Sequence, residues 1–224
     1  MGGDAVETLP LNEQIAARLR DDVLSGRLPA EQRLAQQELA ARFHVSRIPV
    51  RDALRMLEAE GLVTYHPRMG ATVTALTVAD LDELYEMRMA LEPANARRAV
   101  RALVPADDTA LAEHLRAMKA STDDARAWFQ AHADFHRVLN ERSGQGRINA
   151  LLDNLRRQTE RYVRFFQLVE DNASGLLSEH DRIRVAAKRR NAAEVETAIR
   201  EHLRMVRDKV VSHLGSQDHS PAVQ

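Results

Sequence analysis

Cysteine is absent from the 224 residues. That removes disulfides, thiolate nucleophiles and every Cys-based zinc site, and leaves His, Asp and Glu as candidate metal ligands. Aromatic residues make up only 4% of the chain, which argues against a stacking platform for single-stranded nucleic acid. No stretch approaches the roughly 20 consecutive apolar residues that span a bilayer, so no membrane partner is expected. The opening MGGDAVETLP has neither the basic nor the apolar region of a secretory signal, so a cytoplasmic location is expected. Neither sign of charge dominates: 32 Lys+Arg against 33 Asp+Glu leave a formal −1, and any nucleic-acid surface must therefore be local. The nucleotide-binding P-loop, the G-x-S-x-G elbow and the dinucleotide glycine fingerprint are missing as well.

What is present divides in two. Up to about Ala75, short apolar-periodic runs alternate with turn signals. Ile15, Leu19 and Val23 recur every four residues and Gly26 follows, a helix with its left-handed stop. Leu34 to Phe43 supplies a second short helix, His44-Val45 turns the chain, and Ser46 stands at the N-cap of a third, with Pro49 in its first turn and Gly61 at its end. Leu62 to Tyr65 and Ala71 to Thr74 favour β-structure around His66-Pro67-Arg68-Met69-Gly70, a hairpin by composition. Three helices and a hairpin predict a winged helix-turn-helix over residues 1–76.

Residues 77–215 carry helical periodicity without a strand signal. Thr77 to Asp80 opens a long helix to about Leu103, which Pro93 is expected to bend or break. Pro105, Ser121 to Asp124, Ser143 to Gly146, Asn172 to Gly175 and Asn191 divide the remainder into five further helices. The fold class is thus mainly α: a winged helix-turn-helix followed by an all-α antiparallel helical bundle, with residues 216–224 a flexible polar tail.

In the third helix Val50, Ala53, Leu54 and Leu57 follow the i, i+3, i+4, i+7 pattern, while Arg47, Arg51 and Arg55 recur every four residues on another face. One face packs and the other is cationic. Guanidinium groups at that spacing can chelate guanine edges or grip phosphate in a major groove. The N-terminal end of such a helix is the part that meets the bases, which favours Ser46, Arg47 and Arg51 there and Arg55 on phosphate. The run LAQQELAARFHVSRIPVRDALRMLEAEGLV, followed by MGATV, resembles the N-terminal domain of the GntR family of bacterial transcription regulators. Ser46, Arg47, Ile48, Pro49, Val50 and Arg51 occupy the family's Ser-Arg-Thr-Pro-Val-Arg run. Ile48 departs from it, replacing a hydroxyl by a branched alkyl group, and Gln37 stands where some relatives have a base-reading Arg. The resemblance also implies that Gly70 turns the wing tip in the minor groove.

Among the nine histidines, four carry a geometric argument. His132 and His136 lie about 40° apart on a helical wheel, sharing an edge with Phe129, Phe135 and Leu139. His180 and His202 are each eleven residues from the turn at Asn191, so in an antiparallel pair their rings stand at one height. Four imidazoles converging in a bundle interior suit Zn²⁺, Ni²⁺ or a similar borderline ion. Tyr85 to Val100, His132 to Gly144 and the His180 to His202 interval resemble the FCD effector domain of the FadR-like branch of the same family. In its metal-containing members an Asp and three His hold a divalent ion. The resemblance assigns His136, His180 and His202 to the three His and puts His132 in the place of the Asp, while Asp134 is turned about 200° away. Gln145-Gly146 replaces a frequent Asn-Pro.

Four neutral ligands would leave the ion's double charge in the pocket, where an anionic effector would feel it, and Arg88 is a candidate second contact to that anion. The expected function is a metabolite-responsive DNA-binding regulator whose homodimer reads an inverted-repeat operator in double-stranded DNA. The resemblance implies a small carboxylate-bearing effector and repression relieved by it. A metal-dependent hydrolase is the rival class, but a zincin needs Glu after its first His and Ala133 stands there. The other alternative is a DNA-binding dimer whose helical domain holds no metal.

Overall fold

The computed structural model describes residues 9–66, 70–170 and 173–217, the side chains of 164–170, 173 and 213–217 excepted. The chain forms two compact units, Met1–Leu76 and Thr77–Gln224.

The first unit contains α1 (Leu11–Leu24), β1 (Arg33–Leu34), α2 (Gln36–Phe43), α3 (Arg47–Ala59), β2 (Val63–His66) and β3 (Gly70–Val73). The apolar spacing of α1 and α3 becomes one core: Ile15, Leu19 and Val23 meet Val50, Ala53, Leu54 and Leu57, all buried. Each fully buried Leu there is worth roughly 1.5–3 kcal/mol. Gly26 and Gly61 both take φ +75°, the left-handed conformation that stops α1 and α3. His44 at φ 55° does the same after α2, and the chain turns tightly into α3.

Two local expectations change. Leu34 does not begin α2; it pairs with Ala71 while Arg33 pairs with Thr72, so the hairpin gains a third strand in the order β1-β3-β2. A two-residue strand carries no periodicity, which hid it in the sequence. Ser46 holds the extended N-cap backbone of α3 but makes no side-chain capping bond. Pro67, Arg68 and Met69 of the expected wing tip lie outside the described residues.

The second unit is α4 (Val78–Ala99), a 3₁₀ turn (Val100–Ala102), α5 (Pro105–Ala120), α6 (Ala125–Glu141), α7 (Gly146–Glu170), α8 (Ala173–Lys188) and α9 (Ala192–Gln217). The Asp80 amide donates to Thr77 Oγ1 at 3.1 Å, closing the cap that the sequence marks for α4. Pro93 does not break α4, which stays continuous to Ala99. Ala173 to Gly175, expected in a loop, are the first turn of α8, and Asn172 lies outside the described residues. α9 continues to Gln217, two residues into the expected tail, whose remainder, 218–224, is outside the described residues. Residues Arg189 to Asn191 join α8 to α9, with Arg190 at φ 54°, and the two helices form a hairpin. α4 packs along α9, and α5 along α6 and α8. Trp128, Phe135 and Leu139 of α6 are buried with Leu81 and Tyr85 of α4.

Candidate metal centre and nucleic-acid interface

On α3 the residues opposite the core are exposed: Ser46, Arg47, Ile48, Arg51 and Arg55, with Gln37 exposed on α2 and Gly70 exposed at the start of β3. Pro49 is half-buried in the first turn. The three arginines have unequal surroundings. Arg47 makes no ion pair among the described residues, Arg51 pairs with Asp52 at 2.9 Å, and Arg55 pairs with Glu58 at 2.6 Å while its guanidinium lies 4.0 Å from the Tyr65 ring centre. Exposed pairs of this kind are worth little. Asp52 and Glu58 are partners the stripe argument overlooked, although each lies within three residues of its arginine. Ile48 is 62% exposed, an alkyl group standing where nothing in the unit covers it.

In the second unit the histidines meet. His132 and His136 come from α6, His180 from α8 and His202 from α9, and one nitrogen of each lies within 4.8 Å of the others. His180 and His202 stand at one height across the α8–α9 hairpin, as their equal distances from Asn191 predict, with ring centroids 4.6 Å apart. His136, His180 and His202 are buried and His132 half-buried, its ring stacked on Trp128 at 5.1 Å.

A hydrogen bond behind His180 fixes its proton, and a carboxylate lies behind His136. His180 Nδ1–H donates to the Leu176 carbonyl at 2.6 Å. His136 Nδ1 faces Glu92 Oε1 at 3.4 Å. Each neutral ring has one N–H, so His180 Nε2 is bare, and it stands 3.2 Å from His136 Nε2. That contact is a hydrogen bond when His136 carries its proton on Nε2, and a pair of facing lone pairs that a cation would hold together when the proton is on Nδ1. The spacing is close to the roughly 3.3 Å edge of a tetrahedral zinc site with Zn–N bonds near 2.05 Å. His202 Nδ1 is buried without a hydrogen-bond partner, a further nitrogen whose proton or lone pair is unsatisfied. The donor set, four imidazoles with one nitrogen of each within 4.8 Å of the others, therefore suits a borderline divalent ion.

Burial keeps all four rings neutral, as ligands must be. Desolvation pushes His136 down to about 4 and His180 to about 3, with the neighbouring Arg156 and His136 respectively acting the same way. His132 and His202 are driven well below the ordinary range by burial and then by the other rings.

Arg88 is neither on the surface nor free. It is 4% exposed, its Nε bonds Glu92 Oε2 at 3.2 Å, and its Nη1 bonds Thr159 Oγ1 at 3.1 Å. Arg156 Nη2 donates to Glu92 Oε1 at 2.6 Å. Burial alone would raise the Glu92 carboxyl, but Arg156 and Arg88 hold it well below the usual range. Sequence reasoning missed both Glu92 and Arg156. The first had a signal, its i+4 spacing from Arg88; the second had none. Asp134 bonds Arg137 and Gln130 on its own helix and takes no part in the centre.

Comparison with known proteins places these features in company. Residues 83–205 match the model of the FCD domain, and residues 11–73 match that of the bacterial regulatory proteins of the gntR family. The chain is 28% identical over 208 residues to the HTH-type transcriptional repressor RspR of Escherichia coli (strain K12), covering 91% of this chain and 90% of that one. It is also 28% identical over 204 residues to the gluconate operon transcriptional repressor of Bacillus subtilis (strain 168), covering 88% and 84%. The solved structure of E. coli McbR/YncC superposes with a TM-score of 0.75 at 20% identity, covering 95% of this chain and 100% of that one, a likeness of fold.

Proposed function

Since the chain belongs to the gntR family of bacterial regulatory proteins and carries an FCD domain, it is a DNA-binding transcriptional regulator rather than an enzyme, and we propose that it is a homodimeric repressor released by a small organic acid. Its winged unit, residues 1–76, would read double-stranded operator DNA through Arg47 and Arg51, with Ser46, Ile48, Pro49 and Gln37 beside them, Arg55 on phosphate and Gly70 at the wing. Its helical unit, residues 77–215, would dimerise and hold the acid. Two copies would then enter successive major grooves of an inverted repeat.

The observation that carries the effector half is the convergence of four imidazoles from three helices. His132, His136, His180 and His202 would hold Zn²⁺ or Ni²⁺, the ions that an all-nitrogen donor set favours. Bound there, such an ion supplies positive charge and open positions for a carboxylate. Arg88 would act behind it, since its guanidinium is already committed to Glu92 and Thr159. The repressor names of two relatives support the sign of regulation, and one of those names concerns an operon for a small organic acid. None of the described helices is long and apolar enough to cross a membrane.

A thermal-shift screen of carboxylic acids, run on untagged protein with and without chelator, tests the reading. An acid that stabilises only the metal-loaded protein and also releases operator DNA in a gel shift is the expected result. Equal metal content in wild type and a His136→Ala/His180→Ala double variant would remove the centre from the account.

A further inference from the structure

We propose that Glu92 is the positioning residue of the histidine centre: it fixes His136 as an Nε2 donor and lends an all-imidazole ligand set the negative charge that none of its rings carries. This rests on the metal reading above and adds to it a residue outside the four rings.

The two presented rings are backed differently. A neutral carbonyl, Leu176 O, lies behind His180, whereas an anion lies behind His136. The carbonyl sets the tautomer of His180, while a carboxylate in that place favours the proton on His136 Nδ1 and also raises the basicity of the ring. Glu92 is fully buried, so its charge acts on its neighbours with little screening by water.

That charge is contested. Glu92 Oε1 is shared between His136 Nδ1 at 3.4 Å and Arg156 Nη2 at 2.6 Å, while Oε2 is taken by Arg88. Arg156 therefore draws the carboxylate away from the imidazole and adds a positive charge of its own close to the rings. If Glu92 serves the centre, Glu92 and Arg156 must act on cation affinity in opposite directions. If the Glu92–Arg156 bond is merely a tie between α4 and α7, removing either end loosens the same tie and the two effects share a sign.

The experiment strips full-length protein with chelator and titrates Zn²⁺ in competition with a fluorescent chelator, for wild type, Glu92→Gln and Arg156→Gln. The expected result is roughly 10–100-fold weaker binding in Glu92→Gln, the usual penalty for losing a partner behind a metal-binding His, and tighter binding in Arg156→Gln. Unchanged affinity in Glu92→Gln, or weakening of the same sign in both variants, overturns the assignment. Should a variant fail to fold, long-range ¹H–¹⁵N correlation spectra of metal-free wild type decide. His136 protonated at Nδ1 supports the proposal, and protonation at Nε2 overturns it. A wild type that takes up no zinc at all would instead sink the metal reading on which this one stands.

Discussion

Single side chains decide the charge of the proposed effector site. With four neutral rings as ligands, nothing in direct contact with the proposed ion offsets its double charge, and an anion should be held more strongly than beside an Asp ligand. His132→Asp is expected to keep metal content while weakening acid binding, which isothermal calorimetry reads directly; tighter binding would contradict the charge argument. The rings also make the metal-free protein acid-sensitive. The folded-state values of His136 and His180 lie near 4 and 3, below the ordinary 6.5, so the unfolded chain takes up protons first as pH falls. Their contribution is intact above about pH 6.5 and is lost on the way down towards those values. Between pH 7.5 and 5.5 each ring should cost about 1 kcal/mol of stability. Urea unfolding of chelator-treated protein at the two pH values measures it, and a His136→Asn/His180→Asn variant should show a shallower dependence.

Among the elements, α3 carries the argument for DNA and was largely visible in the sequence, because packing face and cationic face both lie within one continuous helix. Leu54, fully buried in its centre, should cost roughly 2–5 kcal/mol when cut to Ala, read as a lowered melting temperature of the winged unit. On the opposite face, Arg47→Ala and Arg51→Ala are expected to lose roughly 1–3 kcal/mol of operator affinity and relax base preference. Arg55→Ala should weaken all sequences alike and flatten the salt dependence by about one unit. Fluorescence anisotropy at several salt concentrations separates the two behaviours. The α8–α9 hairpin was equally legible, since equal distances from Asn191 place His180 and His202 level by arithmetic alone. What escaped was non-local. Strand β1 exists only because Arg33 and Leu34 find Thr72 and Ala71, and Glu92 meets Arg156 across 64 residues, a pairing no local pattern announces. Pro93 does not break α4 for a related reason: the residue is buried in a helix that packs on α9, and that burial outweighs one missing backbone hydrogen bond.

At the scale of the molecule, the two units carry separate chemistry, and any coupling between the proposed acid and the operator would have to come from differential affinity of the acid for the forms a proposed dimer could take. The ligand set itself spans long stretches of chain, since His136 and His180 are 44 residues apart and reside on different helices. An ion shared by α6, α8 and α9 would stitch those segments together, and its removal should let them open locally while the winged unit, with none of the four rings, is untouched. Amide hydrogen exchange after chelation is expected to accelerate in α6, α8 and α9 and to stay constant in α1 to α3. Metal scarcity in the cell would then register as loosened helices exposed to proteases, making the lifetime of the regulator, and not only its grip on DNA, a gauge of intracellular ion supply.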